Sequence, residues 1–176
     1  MKSYVSLIRG INVSGQKKIK MTDLQALYQS LNLKDAKTYI QSGNVIFKSD
    51  EGARSLKAKI EQGIKKKFRF EASVIIIDSS ELAGIVASSP FTKEEQARAY
   101  VTFFDKAPEK PDLKKLEPKK AKGDKITIKG RVAYLFMPEG YGKTKLSNNL
   151  LEKEFGEVAT TRNWNTTIKL LSMVRE

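Results

Sequence analysis

The chain contains no cysteine and no histidine. That pair of absences removes Ser-His-Asp and Cys-His catalysis, thiolate and disulfide chemistry, and the usual zinc and copper sites. Any chemistry must be carried by Lys, Arg, Asp, Glu, Tyr, Ser or Thr. Long apolar stretches are missing too: the aliphatic run Val74 to Ile77 is far short of a membrane span. Strand-like Tyr4 to Ile8 follows the first methionine almost at once, with no secretory leader. A cytoplasmic protein with no membrane partner is the default expectation. There is one tryptophan and there are five prolines, the latter gathered mostly in one connection.

Positive charge is abundant. Thirty-three Lys and Arg face twenty Asp and Glu, a formal net charge of +13. Residues 1–90 carry +7 of it and 91–176 carry +6, so no single tail holds it. A field of this sign raises encounter with polyanions, although many soluble basic proteins bind none specifically. With 40% hydrophobic and 30% charged residues over 176 positions, the chain has material for one ample domain or two small ones.

Read in order, Tyr4–Ile8 is a strand, followed by the glycine-spaced, lysine-rich stretch Arg9-Gly10-Ile11-Asn12-Val13-Ser14-Gly15-Gln16-Lys17-Lys18-Ile19-Lys20. Thr22 with Gln25 reads as a capping box, and Leu24, Leu27, Tyr28 and Leu31 share one face of a helix over about 22–32. Lys37–Ile40 and Asn44–Lys48 form a hairpin across Gln41-Ser42-Gly43. Leu56, Ile60, Ile64 and Phe68 step by four along a second helix that exposes Lys57, Lys59, Lys65 and Lys66. Val74–Ile77 is a strand buried on both faces, and Ser79 or Ser80 caps a connecting helix. The order β-α-β-β-α-β is that of a ferredoxin-like unit, with helices on one sheet face and the other face open or otherwise covered.

The same order recurs from Ala99. Strands at 99–104, 125–128, 132–137 and 158–161 enclose a short helix near Leu113 and Leu116 and another carrying Leu146, Leu150 and Leu151. Tyr4-Val5-Ser6-Leu7 even rhymes with Tyr100-Val101-Thr102-Phe103. The expected fold is therefore α+β, two ferredoxin-like halves at 1–90 and 91–176, pointing to an internal duplication, with a closing helix from Trp164 capped by Asn163.

Two loops resemble phosphate loops without completing the pattern. Gly10 and Gly15 have the right spacing but Gln16 and Lys17 follow; Gly142-Lys143-Thr144 lacks the first glycine, Met137 standing in its place, and Asp78 is the one tolerable magnesium-holding acid. A simpler nest of backbone N–H groups and lysines around an anion suits either loop, against the plain alternative of a glycine loop with solvated lysines. Tyr4 and Phe47 lie on the strands where an RNA-recognition fold stacks bases, but its aromatic motif is absent. No carboxylate pair has acid-base spacing: Glu152 and Glu154 face apart and Glu94-Glu95 is a surface pair. Arg162 sits at a helix entry, where its planar donor fork suits carboxylate or phosphate.

Arg9-Gly10-Ile11-Asn12-Val13, Gln41-Ser42-Gly43-Asn44-Val45, Lys145-Leu146-Ser147-Asn148 and Thr160-Thr161-Arg162-Asn163-Trp164-Asn165-Thr166 occur in this order. In these signatures, over nearly its whole length, the chain resembles the bacterial "domain of unknown function 1697" family. The resemblance implies a two-part α+β fold and brings no established activity, cofactor or catalytic residue. The chain departs from it at Ser14, where the family usually has glycine, which removes some backbone freedom from the loop. The matched polar residues Arg9, Asn12, Gln41, Ser42, Asn44, Lys145, Ser147, Asn148, Arg162, Asn163 and Asn165, with Lys17, are the candidate ligand-binding set, expected to converge in a basic cleft between the halves. The leading expectation is a binding protein for a phosphate-bearing ligand, nucleic acid foremost. The alternatives are an enzyme acting on a small phosphorylated or carboxylated substrate without tightly bound metal, and a protein-interaction module.

Overall fold

Alternation of side chains assigns the two faces of the first strand, β1 (Lys2–Ile8). Tyr4 and Ile8 join one core, Ser6 gives its hydroxyl to the same side, and Val5 and Leu7 point the other way. The computed structural model describes all residues, Met1–Glu176. After β1 come α1 (Met21–Ser30), β2 (Lys34–Tyr39), β3 (Asn44–Ser49), α2 (Ala53–Phe68), β4 (Val74–Asp78) and α3 (Ser79–Ala87). The strands form an antiparallel sheet in the order β2-β3-β1-β4, the ferredoxin-like arrangement.

The helix-facing core unites Leu24, Leu27 and Tyr28 of α1 with Leu56, Ile60 and Ile64 of α2 over Phe47, Val45, Val74 and Ile76. Phe47 is fully buried there, in edge contact with Tyr28 at 5.5 Å and stacked on Tyr4 at 5.7 Å. Neither ring is a base-stacking platform; the strand register turns both toward the helices. Val5, Leu7, Ile75 and Ile77 on the opposite face are no more than 1% exposed, so that face is covered as well. β4 is thus buried on both sides, as its unbroken aliphatic sequence predicts.

Two caps differ from expectation. α1 begins at Met21 behind Lys20, which offers no side-chain cap, so Thr22 lies inside the first turn. The helix start is fixed from outside the helix: Ile19 is buried and pinned by Asn12, and helical backbone begins as soon as the chain is released from that anchor. At α3 the cap is Asp78, whose Oδ1 accepts from the Glu81 N–H at 2.8 Å, and not Ser79 or Ser80. Asp78, the one candidate magnesium-holding acid, is thus engaged as a helix cap. On α2, Lys65 and Lys66 are exposed as predicted, while Lys57 and Lys59 are half-buried and paired with Glu61 and Glu51.

The second set comprises β5 (Ala99–Phe104), β6 (Lys125–Lys129), β7 (Val132–Phe136), α4 (Asn148–Phe155), β8 (Ala159–Asn163) and α5 (Trp164–Arg175). Its sheet order, β6-β7-β5-β8, repeats the first. In place of the first helix there is a 3₁₀ helix at Leu113–Lys119 containing Pro118, which has no N–H to continue an α-helical ladder. The repeat extends to register. Tyr4 pairs with Phe47 and Asp78, and Tyr100 pairs with Leu135 and Asn163. Asp78 and Asn163 then do the same work: Asn163 Oδ1 accepts from Thr166 N–H at 2.8 Å and starts α5, as Asp78 starts α3.

By contact the chain forms two compact units, one of residues 1–84 with 170–176 and one of residues 85–169. In the first, Met173 and Val174 at the end of α5 line a groove with Ser3 of β1 and Ile46 and Lys48 of β3, and Lys37 of β2 pairs with Glu176 at 3.9 Å. In the second, Trp164 is buried as a core residue, in edge contact with Phe91 at 5.3 Å. No helix is long and apolar enough to cross a membrane.

Candidate anion-binding groove

The stretch between β1 and α1 is a folded loop built around one side chain. Asn12 donates from Nδ2 to the carbonyls of Ile19 (3.0 Å) and Gln41 (2.9 Å), and its Oδ1 accepts from Ile19 N–H (2.8 Å). Between these anchors the chain makes a tiny hairpin, with Gln16 N–H on the Val13 carbonyl and Asn12 N–H on the Lys17 carbonyl. Such a tight path needs left-handed backbone: Asn12, Ser14 and Lys17 stand at φ 55°, 50° and 47°. Ser14 therefore holds, without glycine, the conformation for which glycine is the relaxed choice.

The loop, the start of α1 and the end of α2 enclose an open cavity of about 540 Å³, lined among others by Asn12, Lys18, Lys20, Asp23, Gln41 and Phe68. Lys18 and Lys20 are exposed. Lys67 of α2 reaches across to the Asp23 carbonyl at 3.0 Å, and Lys17 reaches the Glu71 carbonyl at 2.9 Å. Each keeps two further N–H donors for another acceptor. Asp23 is the one carboxylate among the lining residues. Nearby Glu71 accepts from Lys65 at 2.7 Å, a bond that holds its carboxyl below the usual range. Four ammonium groups thus stand in or beside one groove, and Lys20, Met21 and Asp23 at the uncapped start of α1 line it.

Of the candidate residues, the groove gathers Asn12 and Gln41, with Lys17 beside them. Ser42 and Asn44 are nearby but turned to the hairpin: Asn44 is fully buried and donates to the Tyr39 carbonyl (3.0 Å) and to Ser42 Oγ (2.9 Å). Arg9 is half-buried just before the loop, its backbone N–H on the Ser73 carbonyl. Sequence reading did not single out Asp23, Lys67, Arg69 or Phe70, although Lys65-Lys66-Lys67-Phe68-Arg69-Phe70 interleaves cations and rings.

Lys145, Ser147, Asn148, Arg162, Asn163 and Asn165 belong to the second unit. Most have duties within it. Ser147 caps α4 by accepting from Leu150 N–H at 3.2 Å. Asn148 donates to the Ala159 carbonyl (2.9 Å) and accepts from Thr161 Oγ1 (2.9 Å), which is 2.7 Å from Thr102 Oγ1. This network ties α4 to β8 and β5. Asn148→Ala is expected to lower stability by about 2 kcal/mol, since it strands the partners of two half-buried bonds; a thermal melt some 4–8 °C below wild type checks it. Arg162 is 7% exposed, donates to Thr160 Oγ1 (2.6 Å) and the Thr161 carbonyl (2.9 Å), and is pulled down to about 10 by burial. Asn163 is the α5 cap; Lys145 and Asn165 are exposed.

The Gly142-Lys143-Thr144 segment forms a short 3₁₀ turn at Tyr141–Lys143, and Thr144 gives its hydroxyl to Asp124 Oδ2 at 2.6 Å while accepting from Leu146 N–H. That hydroxyl is committed to the loop and not to a magnesium ion, as it would be in a phosphate loop.

No curated protein matches the chain. Among solved structures it is similar to the conserved bacterial protein SP0830 from Streptococcus pneumoniae, at 27% identity and a TM-score of 0.77, covering 100% of this chain and 99% of that one. The family described as "Protein of unknown function (DUF1697)" matches residues 1–134, from β1 into β7. The two-sheet α+β fold and this match agree: the chain belongs to the DUF1697 family.

Proposed function

We propose that the groove between the Asn12–Lys20 loop, the start of α1 and the end of α2 binds a phosphate-bearing ligand, with nucleic acid as the ligand class. The observation that carries this reading is convergence: Lys18 and Lys20 of the loop line one open cavity with the Gln41 side-chain amide, Lys17 stands beside them, and Lys67, distant in sequence, reaches the Asp23 carbonyl at the same rim. Ammonium groups bind phosphate as point charges, and amides add direction. Asp23 opposes this field at one point, but its carbonyl already draws Lys67 to the same rim. The overall charge of +13 favours encounter with a polyanion from any direction.

Four phosphate contacts predict a slope of roughly −3 for log affinity against log salt on a single strand, so raising salt from about 50 to about 200 mM should weaken binding roughly 50-fold. Fluorescence anisotropy of a labelled oligonucleotide reads this directly. Affinity that does not change across that range removes phosphate neutralisation, and with it this reading.

A further inference from the structure

Within a regular helix, residues two apart point to different sides. Phe68 and Phe70 nevertheless stack, with ring centroids 6.3 Å apart and planes 26° from parallel. The reversal is made by Arg69, which ends α2 in left-handed backbone at φ 64° and folds Phe70 back beside Phe68. The same geometry ends α4 at φ 68°, where the residue is Gly156. Glycine takes this conformation without steric penalty, and arginine does not. α2 therefore ends on an exposed arginine in a strained conformation, flanked in sequence by two half-buried phenylalanines.

The rings are flanked by cations. Lys67 Nζ stands 5.6 Å from the Phe68 centroid and Lys17 Nζ 5.8 Å from that of Phe70, near the outer limit of cation–π attraction. Each ammonium also donates to a backbone carbonyl, Lys67 to Asp23 and Lys17 to Glu71, and both side chains are exposed, so these contacts exchange with water and open a ring face next to ammonium groups placed for phosphate. Phe68 itself lines the groove. An aromatic face bordered by cations is what an unpaired base and its phosphates require, whereas in a duplex the base faces are already stacked.

Resting on the phosphate-binding reading of the groove, we infer that its ligand is single-stranded nucleic acid, with a base stacking on the Phe68–Phe70 pair and its phosphates held by Arg69, Lys17 and Lys67. The base-stacking element is the end of α2; the loop lysines serve the backbone on either side.

The test compares single-stranded and duplex oligonucleotides of about 12 nucleotides, as DNA and as RNA, by anisotropy against wild type, Arg69→Gly and Phe70→Leu. Single strands should bind at least tenfold tighter than the duplex. Both variants should weaken single-strand binding roughly tenfold, the loss of one stacked base or one charged contact. Arg69→Gly should do so with a melting temperature at or above wild type, because glycine relaxes the cap. Equal affinity for duplex and single strand, or variants that bind single strands like wild type, would overturn the stacking site while leaving salt-dependent groove binding in place. No binding of either form at low salt would overturn both.

Discussion

Gly43→Ala is expected to lower the stability of the protein by about 3 kcal/mol, one of the largest effects of any single methyl group in the chain. Two contributions add. The backbone there is at φ +82°, a conformation in which a Cβ costs about 1–2 kcal/mol. The added atom would also lie 2.8 Å from Ile11 Cδ1 and 2.9 Å from Ile8 Cβ. Ile8 Cβ is fixed by its strand, whose N–H binds the Gly43 carbonyl at 2.9 Å, so the hairpin backbone and Ile11 must both move. Ile11 is 1% exposed and directly precedes Asn12, the residue that organises the loop. The damage should therefore spread from the hairpin to the groove. Gly130→Ala is the control: φ is +56°, but nothing lies within 4 Å of the new atom, so only the conformational part remains. Thermal melts should place Gly43→Ala roughly 6–12 °C below wild type, and Gly130→Ala between the two. Equal losses would mean that the close approach to Ile8 and Ile11 is not what makes glycine necessary.

Reversing two charges in the groove should have the largest effect on binding. Lys18 and Lys20 are exposed lining residues, so Lys18→Glu with Lys20→Glu leaves the core intact. Each lost charged contact is worth about 1.5 kcal/mol, and two together predict roughly a 100-fold loss of oligonucleotide affinity at low salt. The salt slope should also flatten by about 1.4, roughly 0.7 for each phosphate contact removed on a single strand. Net charge changes equally in a variant carrying Lys114→Glu and Lys153→Glu, both exposed and both in the second unit. That variant should retain most of the affinity. If the two double variants fall alike, binding follows overall charge and no particular groove is involved.

Much of the fold is legible in the residues. The four-residue steps of Leu56, Ile60 and Ile64 give α2 and its buried face, with half-buried Phe68 as the last step, and the aliphatic run at β4 gives a strand buried on both sides. Gly43 marks the hairpin, and the repeated order of elements gives two similar sheets. These features are local, set by periodicity and turn chemistry. The starts of α1 and α3 are not legible in the helices' own residues, because the determining groups lie outside them: a buried Ile19 held by Asn12, and the last residue of β4. The orientation of Tyr4 and Phe47 was not legible, since alternation separates two faces without saying which one the helices cover.

The site was half legible for the same reason. Asn12 was singled out for its polarity, and its polarity is used to shape the loop; Gln41, 29 residues away, meets it because β1 and β3 are neighbours. Asn44, Ser147, Asn148 and Asn163 likewise spend their hydrogen bonds on hairpin, cap and strand contacts. A recurring polar motif can thus record the demands of a fold. What local sequence could not supply is the meeting of the Lys17–Lys20 stretch with Lys67 and Phe68, more than 45 residues further on. That meeting depends on α2 ending at the same edge of the sheet from which β1 launches its loop.

The most direct test of the account is a titration of isotopically labelled protein with a short single strand, followed through backbone amide chemical shifts. Shifts should concentrate at Asn12–Asp23, Gln41 and Phe68–Phe70, with the Phe68 and Phe70 rings showing the additional displacement that a stacked base produces. Shifts gathered in the second unit, or scattered over exposed lysines throughout the chain, would contradict it.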